Sequence, residues 1–303
     1  MTLKIIQKRK YFTIISAILV VASIVGALIW GLKPGIDFTG GSRLEISFPE
    51  LRPELSTIQD ALNPLDLGSY QAVPSNEKSL ILKTRALSND ERQSVLDALS
   101  ALQEEQVSED SFTAIGPSIG QELRKKAYSA IALVLIGIIA YITWAFRKIS
   151  RGGPVPSWVF GVGAIVALIH DISIIVGLFV LFGQIFGTEV DSLFVTALLT
   201  VLGFSVHDTI VVFDRIREGI QRYHNEPFEE IANRSINETM SRSINTSMTT
   251  LFVLVALAVL GGESIRMFVI ALIAGIIVGT YSSIFIASTL LVEWHNWRAR
   301  RFR

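Results

Sequence analysis

A single aspartate interrupts an apolar run of the sequence that is long enough to cross a membrane. Asp208 is the only charged residue within Ser192–Phe213, and His207 stands directly before it. An ionised carboxylate inside a bilayer costs at least about 2.5 kcal/mol, so such a residue is by default a candidate for function. Intramembrane carboxylates serve in proton relays, which makes Asp208 a candidate proton-binding group.

A fixed cation stands at the start of the next apolar run. Arg242 precedes Ser243–Gly262. Three hydroxyl residues share its helical face: Thr246, Thr249 and Thr250. Ser205 lies one turn before Asp208, so two polar faces on consecutive helices are predicted to line a hydrated path. Arginine keeps its charge, so the acid must carry the proton. The alternative for Arg242 is an anchor that extends to the cytoplasmic surface.

A second intramembrane acid, Asp171, lies in Ser157–Phe186 and also follows a histidine, His170. Adjacent helical residues point about 100° apart, so neither histidine is expected to face the aspartate beside it. A two-ligand zinc site needs the i, i+4 spacing, so a zinc hydrolase is disfavoured. For Asp171, a plain interhelical hydrogen bond and a supporting role in proton coupling are both open. His207 is expected at most to orient Asp208.

The composition indicates a membrane protein. Half of the 303 residues are hydrophobic and the mean hydropathy is +0.49, which is too apolar for an ordinary soluble domain. Apolar runs of about 18 or more residues predict spanning helices. We predict six transmembrane helices, at residues 11–32, 127–146, 157–186, 192–213, 243–262 and 267–292.

Lysine and arginine lie mostly on one side of these six helices. Sixteen of the 27 fall in four places: residues 1–10, the loop 147–156, the segment 214–242 and the terminus 293–303. The opposite loops, 187–191 and 263–266, carry few basic residues. By the positive-inside rule both termini face the cytoplasm, and the chain is a multi-pass protein of the cell membrane. The charged segment 214–242 is predicted to form amphipathic helices at the cytoplasmic surface.

The one long extramembrane stretch, residues 33–126, is predicted to be an extracytoplasmic α+β domain. Strands are predicted at Arg43–Phe48, Ser69–Val73, Leu80–Thr84 and Ser111–Ile115, and helices at Pro53–Leu62 and after a capping box formed by Ser88 and Glu91. The order β-α-β-β-α-β fits a ferredoxin-like unit. The stretch has no His or Cys, which favours a binding or structural role over an enzyme. Its acids are interpreted as a solvated face: Glu104, Glu105, Glu109 and Asp110.

Two glycine-containing segments bracket this domain, Gly35–Gly41 and Gly116–Gly120. Glycine permits tight or left-handed backbone, and Asp37 or Thr39 can close a turn through its side chain. We interpret the two segments as hinges that set the angle of the domain, in preference to ligand-binding loops. The hinge residues are Gly35, Asp37, Gly40, Gly41, Gly116, Pro117 and Gly120.

The sixth predicted helix carries a ridge of small residues at strict four-residue spacing. Its members are Ala271, Gly275, Gly279, Ser283 and Ala287. Such a ridge suits close contact between helices in a membrane. It predicts a packed bundle or a docking face for a partner, and it carries no chemistry of its own.

Several motifs together resemble the SecD/SecF family of bacterial protein-export membrane subunits. They are Gly35-Ile-Asp-Phe-Thr-Gly-Gly41, Gly116-Pro-Ser-Ile-Gly-Gln-Glu-Leu123, the run Leu202–Glu218 around Asp208, and Ser241-Arg-Ser-Ile-Asn-Thr-Ser247. The resemblance covers essentially the whole chain. It departs from the family at His207, where the family usually carries Asn.

The resemblance implies a fold similar to half of a resistance–nodulation–division transporter. It also implies a SecD partner, association with the SecYEG channel and a role in preprotein translocation across the bacterial cytoplasmic membrane, driven by the proton-motive force. Asp208 and Arg242 are the implied proton-coupling pair. We expect protons as the coupling ion, contact with the lipid bilayer, and no other cofactor, metal or nucleic-acid partner.

Two other classes of function stay open. A half-transporter for lipids or small amphiphiles would use the same fold and would need a wide apolar cleft in the outward domain. A passive scaffold of the export channel would depend on the ridge Ala271–Ala287 rather than on Asp208. An intramembrane enzyme is the least favoured class, because the sequence shows no nucleophile–base pair and no metal-ligand spacing.

Overall fold

The computed structural model describes residues 3–103, 105–147, 154–223 and 225–301. It divides into two compact units: Pro34–Tyr128, and Met1–Lys33 together with Ser129–Arg303. Glu104 of the predicted acidic face and the middle of the predicted loop 147–156 lie outside the described residues.

The smaller unit is built on a four-stranded antiparallel sheet. After a long first helix, Arg9–Trp30 (α1), the elements are Ile36–Thr39 (α2), Gly41–Ser47 (β1), Leu55–Leu62 (α3), Gln71–Pro74 (β2), Ser79–Thr84 (β3), Asn89–Ser100 (α4) and Ser108–Ile115 (β4). The strand order is β2-β3-β1-β4. From β1 onward the order is β-α-β-β-α-β.

Alternate residues of the two central strands point to one face, and α3 and α4 cover that face. The fully buried side chains are Leu44, Ile46, Leu80 and Leu82 from the strands and Ile58, Leu62, Val95 and Leu99 from the helices. Burial of a side chain of this size contributes about 1.5–3 kcal/mol relative to leaving it exposed. The unit therefore has a hydrophobic core of its own.

Helix α4 begins at the predicted capping box. The Ser88 hydroxyl accepts a hydrogen bond from the Glu91 amide at 3.3 Å, and the Glu91 carboxylate accepts one from the Ser88 amide at 2.8 Å. The Arg85 guanidinium also donates to Glu91. The hydrogen bond from Arg85, followed by those from Ser88, lowers the pKa of Glu91 to about 2.

The two glycine segments are packed against each other. Gly40 has φ 78°, and a Cβ placed there would lie 2.9 Å from the Pro117 Cα. A Cβ on Gly120 would lie 3.0 Å from the amide nitrogen of Gly40. Both distances are shorter than real Cβ contacts tolerate without movement, so side chains at these two positions would force the segments apart.

The start of the first glycine segment is a single helical turn. The Thr39 hydroxyl donates to the Gly35 carbonyl at 3.0 Å, as one of the two predicted turn closures requires. Gly41 has φ 137°, and a Cβ there would lie 2.6 Å from the Thr84 carbonyl oxygen of β3. Gly116 differs from these glycines, because a Cβ added there would meet no described atom within 4 Å.

The larger unit contains the long helices that follow, apart from residues 117–128 of the first of them, which belong to the smaller unit. They are Pro117–Ala145 (α5), Ser157–Phe186 (α6), Ser192–Arg222 (α7), Phe228–Leu260 (α8) and Glu263–Ser282 (α9), which continues through a π-helical segment, Ser283–Ala287, into Ser288–Arg301 (α10). With α1, they give six helical stretches in the described part of the chain that are long and apolar enough to cross a membrane. Six is the number predicted from the hydropathy of the sequence.

The charged segment 214–242 does not form separate helices. Helix α7 continues without a break to Arg222, and α8 begins at Phe228, directly after Pro227. No residue between Phe213 and Arg222 disfavours a helix strongly enough to end it, whereas proline is favoured at the start of a helix and ends the preceding one. The polar segment therefore consists of the extended ends of two long helices and the turn between them.

The ridge of small residues packs against α7. A Cβ on Gly275 would lie 2.1 Å from Val201 Cγ2, and a Cβ on Gly279 would lie 3.0 Å from Ser205 Cβ. One turn further, the hydroxyls of Ser283 and Thr209 are 2.8 Å apart. Ala271 and Ala287 at the two ends of the ridge are also buried. The ridge thus brings two helices of the same chain into backbone-close contact, as small-xxx-small motifs do.

Polar contacts join the ends of α1, α8 and α10. Arg9 pairs with Glu229 at 3.2 Å and with Glu293 at 2.5 Å. The side chains of Asn233 and Asn237 bind the backbone of residues 3–6, with distances between 2.8 and 3.2 Å. The segment before α1 is therefore fastened to the first three turns of α8.

We predict that Gly40→Ala destabilises the smaller unit by about 1–3 kcal/mol, because alanine at this positive φ is strained and its Cβ meets the Pro117 backbone. Gly116→Ala is the matched control, since its Cβ meets no described atom. Thermal unfolding and limited proteolysis of the full chain in detergent measure the difference. Equal stability of the two variants would contradict the packed junction.

We predict that Gly275→Ala lowers the stability of the larger unit by about 1–3 kcal/mol, through overpacking against Val201. A change of rotamer cannot relieve the contact, because the Val201 Cβ itself would lie 2.9 Å from the new methyl group. Gly203→Ala on α7, where the space is open, should be neutral or slightly stabilising. The melting temperature of the purified chain distinguishes the two outcomes, and a Gly275→Ala chain as stable as Gly203→Ala would refute the close contact.

We predict that Glu91→Gln weakens α4 at neutral pH and has no further effect near pH 2. The pKa of Glu91 is lowered, so its stabilising charge is fully present above the unfolded value of about 4.3 and is lost as the pH falls towards about 2. Glutamine keeps the capping geometry but not the charge that attracts Arg85. Hydrogen exchange of the α4 amides, compared between variant and native chain at each pH, should show a difference at pH 7 that vanishes at the acid end.

Candidate functional site

Asp208 lies on the buried face of α7 with one carboxylate oxygen satisfied and one not. It is 4% exposed. Its Oδ1 accepts a hydrogen bond from the Ser243 hydroxyl of α8 at 2.9 Å. Its Oδ2 is buried and has no hydrogen-bond partner among the described residues. Since buried polar atoms are nearly always paired, the unpaired oxygen makes this carboxylate a candidate for binding a proton or a hydrogen-bond donor.

Arg242 does not contact Asp208 in this structure. Ser243 faces α7, and a residue one position earlier on a helix points about 100° away. Arg242 is accordingly exposed, and within the described chain no ion pair joins it to Asp208. The predicted pairing of the two residues is therefore not formed in this arrangement of the helices, and their predicted role in proton coupling stays a prediction.

The predicted hydroxyl face of α8 is turned in the same outward direction as Arg242. Thr246 and Thr249 are exposed and Thr250 is half-buried. Their hydroxyls donate to carbonyls of their own helix, those of Arg242 and Thr246, at 2.8–3.2 Å. These residues do not line a path with Asp208 inside the described bundle.

The buried polar face of α8 is a different set of residues, which sequence reasoning missed. Its members, at four-residue spacing, are Ser235, Thr239, Ser243 and Ser247, and all four are buried. Ser243 binds Asp208, and the Ser247 hydroxyl is 2.5 Å from that of Thr280 on α9. The signal was present in the sequence, because a strict four-residue repeat of small hydroxyl residues resembles the glycine ridge of α9 in its spacing.

Asp171 on α6 is fully buried and well satisfied. Its Oδ2 accepts hydrogen bonds from Ser205 of α7 at 2.6 Å and from Ser282 of α9 at 2.8 Å. Its Oδ1 is 2.9 Å from Nδ1 of His170. Ser205 was predicted to support Asp208, but its hydroxyl donates to Asp171 instead, because it points from α7 towards α6.

The expectation that His170 and Asp171 do not face each other is wrong. The Cβ atoms of adjacent helical residues diverge, but Nδ1 lies close to the backbone and the carboxylate can turn sideways to meet it. The expectation does hold for the second pair, since His207 is exposed and makes no hydrogen bond to Asp208. His207 therefore has no hydrogen bond with which to orient the carboxylate.

The described residues contain no group of three or more His, Asp or Glu side chains placed to hold a metal ion. What the site offers is two buried carboxylates on facing helices, with serine and threonine hydroxyls around them. Hydroxyls both donate and accept hydrogen bonds, and carboxylates bind and release protons. The arrangement is suited to proton binding inside an apolar bundle.

Comparison with known proteins agrees with this architecture. A family described as protein export membrane protein SecD/SecF, C-terminal, matches residues 94–297, and the SecD/SecF GG motif matches residues 31–48. The chain is 41% identical over 305 aligned residues to protein translocase subunit SecF of Thermobaculum terrenum, covering 96% of this chain and 94% of that protein. It is 39% identical to the SecF subunit of Anaerolinea thermophila, covering 98% and 97% of the two chains.

A solved structure has the same fold. The crystal structure of SecDF, a translocon-associated membrane protein from Thermus thermophilus, superposes with a TM-score of 0.82 at 34% identity. The match covers 96% of this chain and 38% of the solved chain, so this chain corresponds to one part of a longer fused protein. From the family match over most of its length and its close relatives, the chain belongs to the SecD/SecF family of protein-export membrane proteins, on the SecF side.

Proposed function

We propose that this chain is the subunit of the Sec translocase that, with SecD, uses the proton-motive force to assist preprotein translocation through the SecYEG channel. Its relatives are named translocase subunits, which indicates an accessory role in protein transport. The observation that supports proton coupling is the half-satisfied carboxylate of Asp208 in the centre of an apolar bundle. Protons are the proposed coupling ion, and no enzymatic step or other cofactor enters the proposal.

The proposed cycle depends on where Arg242 can reach. In the present arrangement Ser243 alone binds Asp208, and Arg242 points outward. A rotation of α8 by about one residue, or about 100°, would exchange Ser243 for Arg242 at the carboxylate. Protonation of Asp208 favours the serine-bound arrangement, because a neutral acid no longer attracts the guanidinium. Loss of the proton favours the arginine-bound arrangement, because the ionised acid then finds a counter-charge.

We further propose that SecD covers the outward face of α8. Arg242, Thr246 and Thr249 are exposed on a helix long and apolar enough to span a membrane. A charged and hydroxyl-bearing face turned to lipid is costly, so a neighbouring helix with polar groups suits it better. Fusion of SecD and SecF into one chain in relatives from Brucella abortus and Thermus thermophilus supports SecD as that neighbour.

The proposed location is the bacterial cytoplasmic membrane, with both termini inside and Pro34–Tyr128 outside as a ferredoxin-like domain. The support is the distribution of lysine and arginine along the chain and the strand order β2-β3-β1-β4 of the domain. Within this domain Gly40 packs against Pro117 and Gly120, the residues of the two segments that were predicted to be hinges. The hinge role of these segments stays a prediction.

The passive scaffold receives less support than proton coupling. It relied on the small-residue ridge as a docking face for the channel. In the structure Gly275 and Gly279 of that ridge contact Val201 and Ser205 of the same chain, so they are already occupied. A buried carboxylate with a free oxygen has no use in a scaffold.

The proposal predicts that Asp208→Asn abolishes the stimulation of preprotein export by a proton gradient, measured in inverted membrane vesicles that contain the variant with its SecD partner. Asparagine keeps the shape and the bond to Ser243 but cannot bind or release a proton. Asp214→Asn, an exposed acid of the same helix, is the matched control and should export as the native chain does. Stimulation that survives in Asp208→Asn would refute the proposal and favour the scaffold. Proton-driven movement of lipid without any effect on export would favour the half-transporter.

A further inference from the structure

A buried histidine–aspartate pair on α6 stands apart from the contacts of Asp208. His170 is 5% exposed, and its Nδ1 lies 2.9 Å from Oδ1 of Asp171. Its other ring nitrogen, Nε2, is buried and has no hydrogen-bond partner among the described residues. We propose that this pair is a second proton-binding site of the membrane unit, in which the proton binds to Nε2 of His170. The proposal deepens the proposed function and rests on it for the use to which the proton is put.

The hydrogen bonds around Asp171 decide which of the two groups takes the proton. Three donors converge on this carboxylate: Ser205, Ser282 and the Nδ1–H of His170. Donors that point at a carboxylate favour its ionised form, and a protonated carboxyl would have to lose at least one of them. The proton acceptor of the pair is therefore the imidazole nitrogen that is still unpaired.

The net charge of the pair also favours binding of a proton to His170. With a neutral imidazole, the pair carries one negative charge in an apolar interior, where an uncompensated charge is unfavourable. A proton taken from water forms a bond to the lone pair of Nε2 while Nδ1 keeps its own hydrogen. The net charge of the pair then changes from −1 to 0, and the imidazolium and the carboxylate compensate each other.

No other described charged group faces the pair. Helix α7 contributes Ser205, and α9 contributes Ser282 and Tyr281, whose ring stacks on that of His170 with centroids 6.1 Å apart. Helix α1 contributes Ser16, which donates to the Tyr281 hydroxyl at 3.1 Å. The next acid on α7 is Asp208, which is bound to α8 instead.

The site is connected to the element that holds α7 and α9 together. Ser282 is the last residue of α9, and the π-helical segment begins at Ser283. Ser283 donates to the Ser205 carbonyl at 3.2 Å and contacts Thr209 of α7. Single π-helical turns inside α-helices occur frequently at functional sites. A change of charge on the His170–Asp171 pair therefore acts on α7 through Ser205 and on α9 through Ser282, the neighbour of Ser283.

The test is a titration of His170 in the full chain. The chain is reconstituted in lipid bilayers with ¹⁵N-labelled histidine, and the other three histidines are replaced in the variant His207→Gln, His224→Gln, His295→Gln. We expect the Nε2 resonance to change from the unprotonated to the protonated position between pH 5 and 9. In Asp171→Asn, which removes the compensating charge, the protonated fraction at a given pH should fall by about tenfold or more.

A His170 that keeps one protonation state over this whole range would overturn the proposal, and so would a titration unaffected by Asp171→Asn. If Asp171→Asn does not fold, the titration of the unaltered pair still tests the proposal. The control is His170→Gln in the otherwise native chain, which removes the His170 resonance. The outcome is independent of the export assay. Export that is unaffected by Asp208→Asn would refute the proposed function without changing this titration. A His170 that does not change its protonation state would leave the role of Asp208 unaffected.

Discussion

The close contact of α7 with α9 is the interaction on which the rest of the membrane unit depends. Within a bilayer, burial of apolar side chains gives little net attraction between helices, so close packing and hydrogen bonds must supply it. Gly275 and Gly279 let the two backbones approach at Val201 and Ser205. At this distance the hydroxyl of Ser283 on α9 reaches that of Thr209 on α7. The glycines therefore hold α9 against the turn of α7 that carries Ser205, the residue that donates to Asp171.

The two carboxylates differ in the number of hydrogen-bond donors that the neighbouring helices bring to them. Asp171 lies where three helices bring hydroxyl and imidazole donors together, and every donor is within 3 Å. Asp208 faces α8 alone, which offers it one serine. An acid with several fixed donors keeps one charge state, whereas an acid with a single donor and a free oxygen can change its partner. This difference suits a unit in which the Asp171 carboxylate keeps its hydrogen bonds while the Asp208 carboxylate changes its partner.

Local patterns predicted most of the elements, and tertiary contacts decided the site. The first strand follows from the alternation of its side chains, the capping box at Ser88 from a local motif, and the six long helices from apolar runs of sequence. The identity of the group that meets Asp208 does not, because Arg242 and Ser243 are neighbours and only the rotation of α8 about its axis chooses between them. The rotation of α7 about its axis likewise decides that the Ser205 hydroxyl donates to Asp171 of α6 and not to Asp208. A sequence gives the faces of a helix but not which neighbour each face meets.

Helices α7 and α8 continue well past their apolar parts. A helix of 31 residues, such as α7, is about 46 Å long, whereas the hydrocarbon core of a bilayer is about 30 Å thick. The remainder is a rigid arm of about 16 Å, and a tilt of about 10° at the bilayer would swing its tip by about 3 Å. On α8 that arm is bound to the start and the end of the chain through Arg9, Glu229 and Glu293. Mechanical load applied to either terminus would thus be delivered to the helix that carries Ser243 and Arg242.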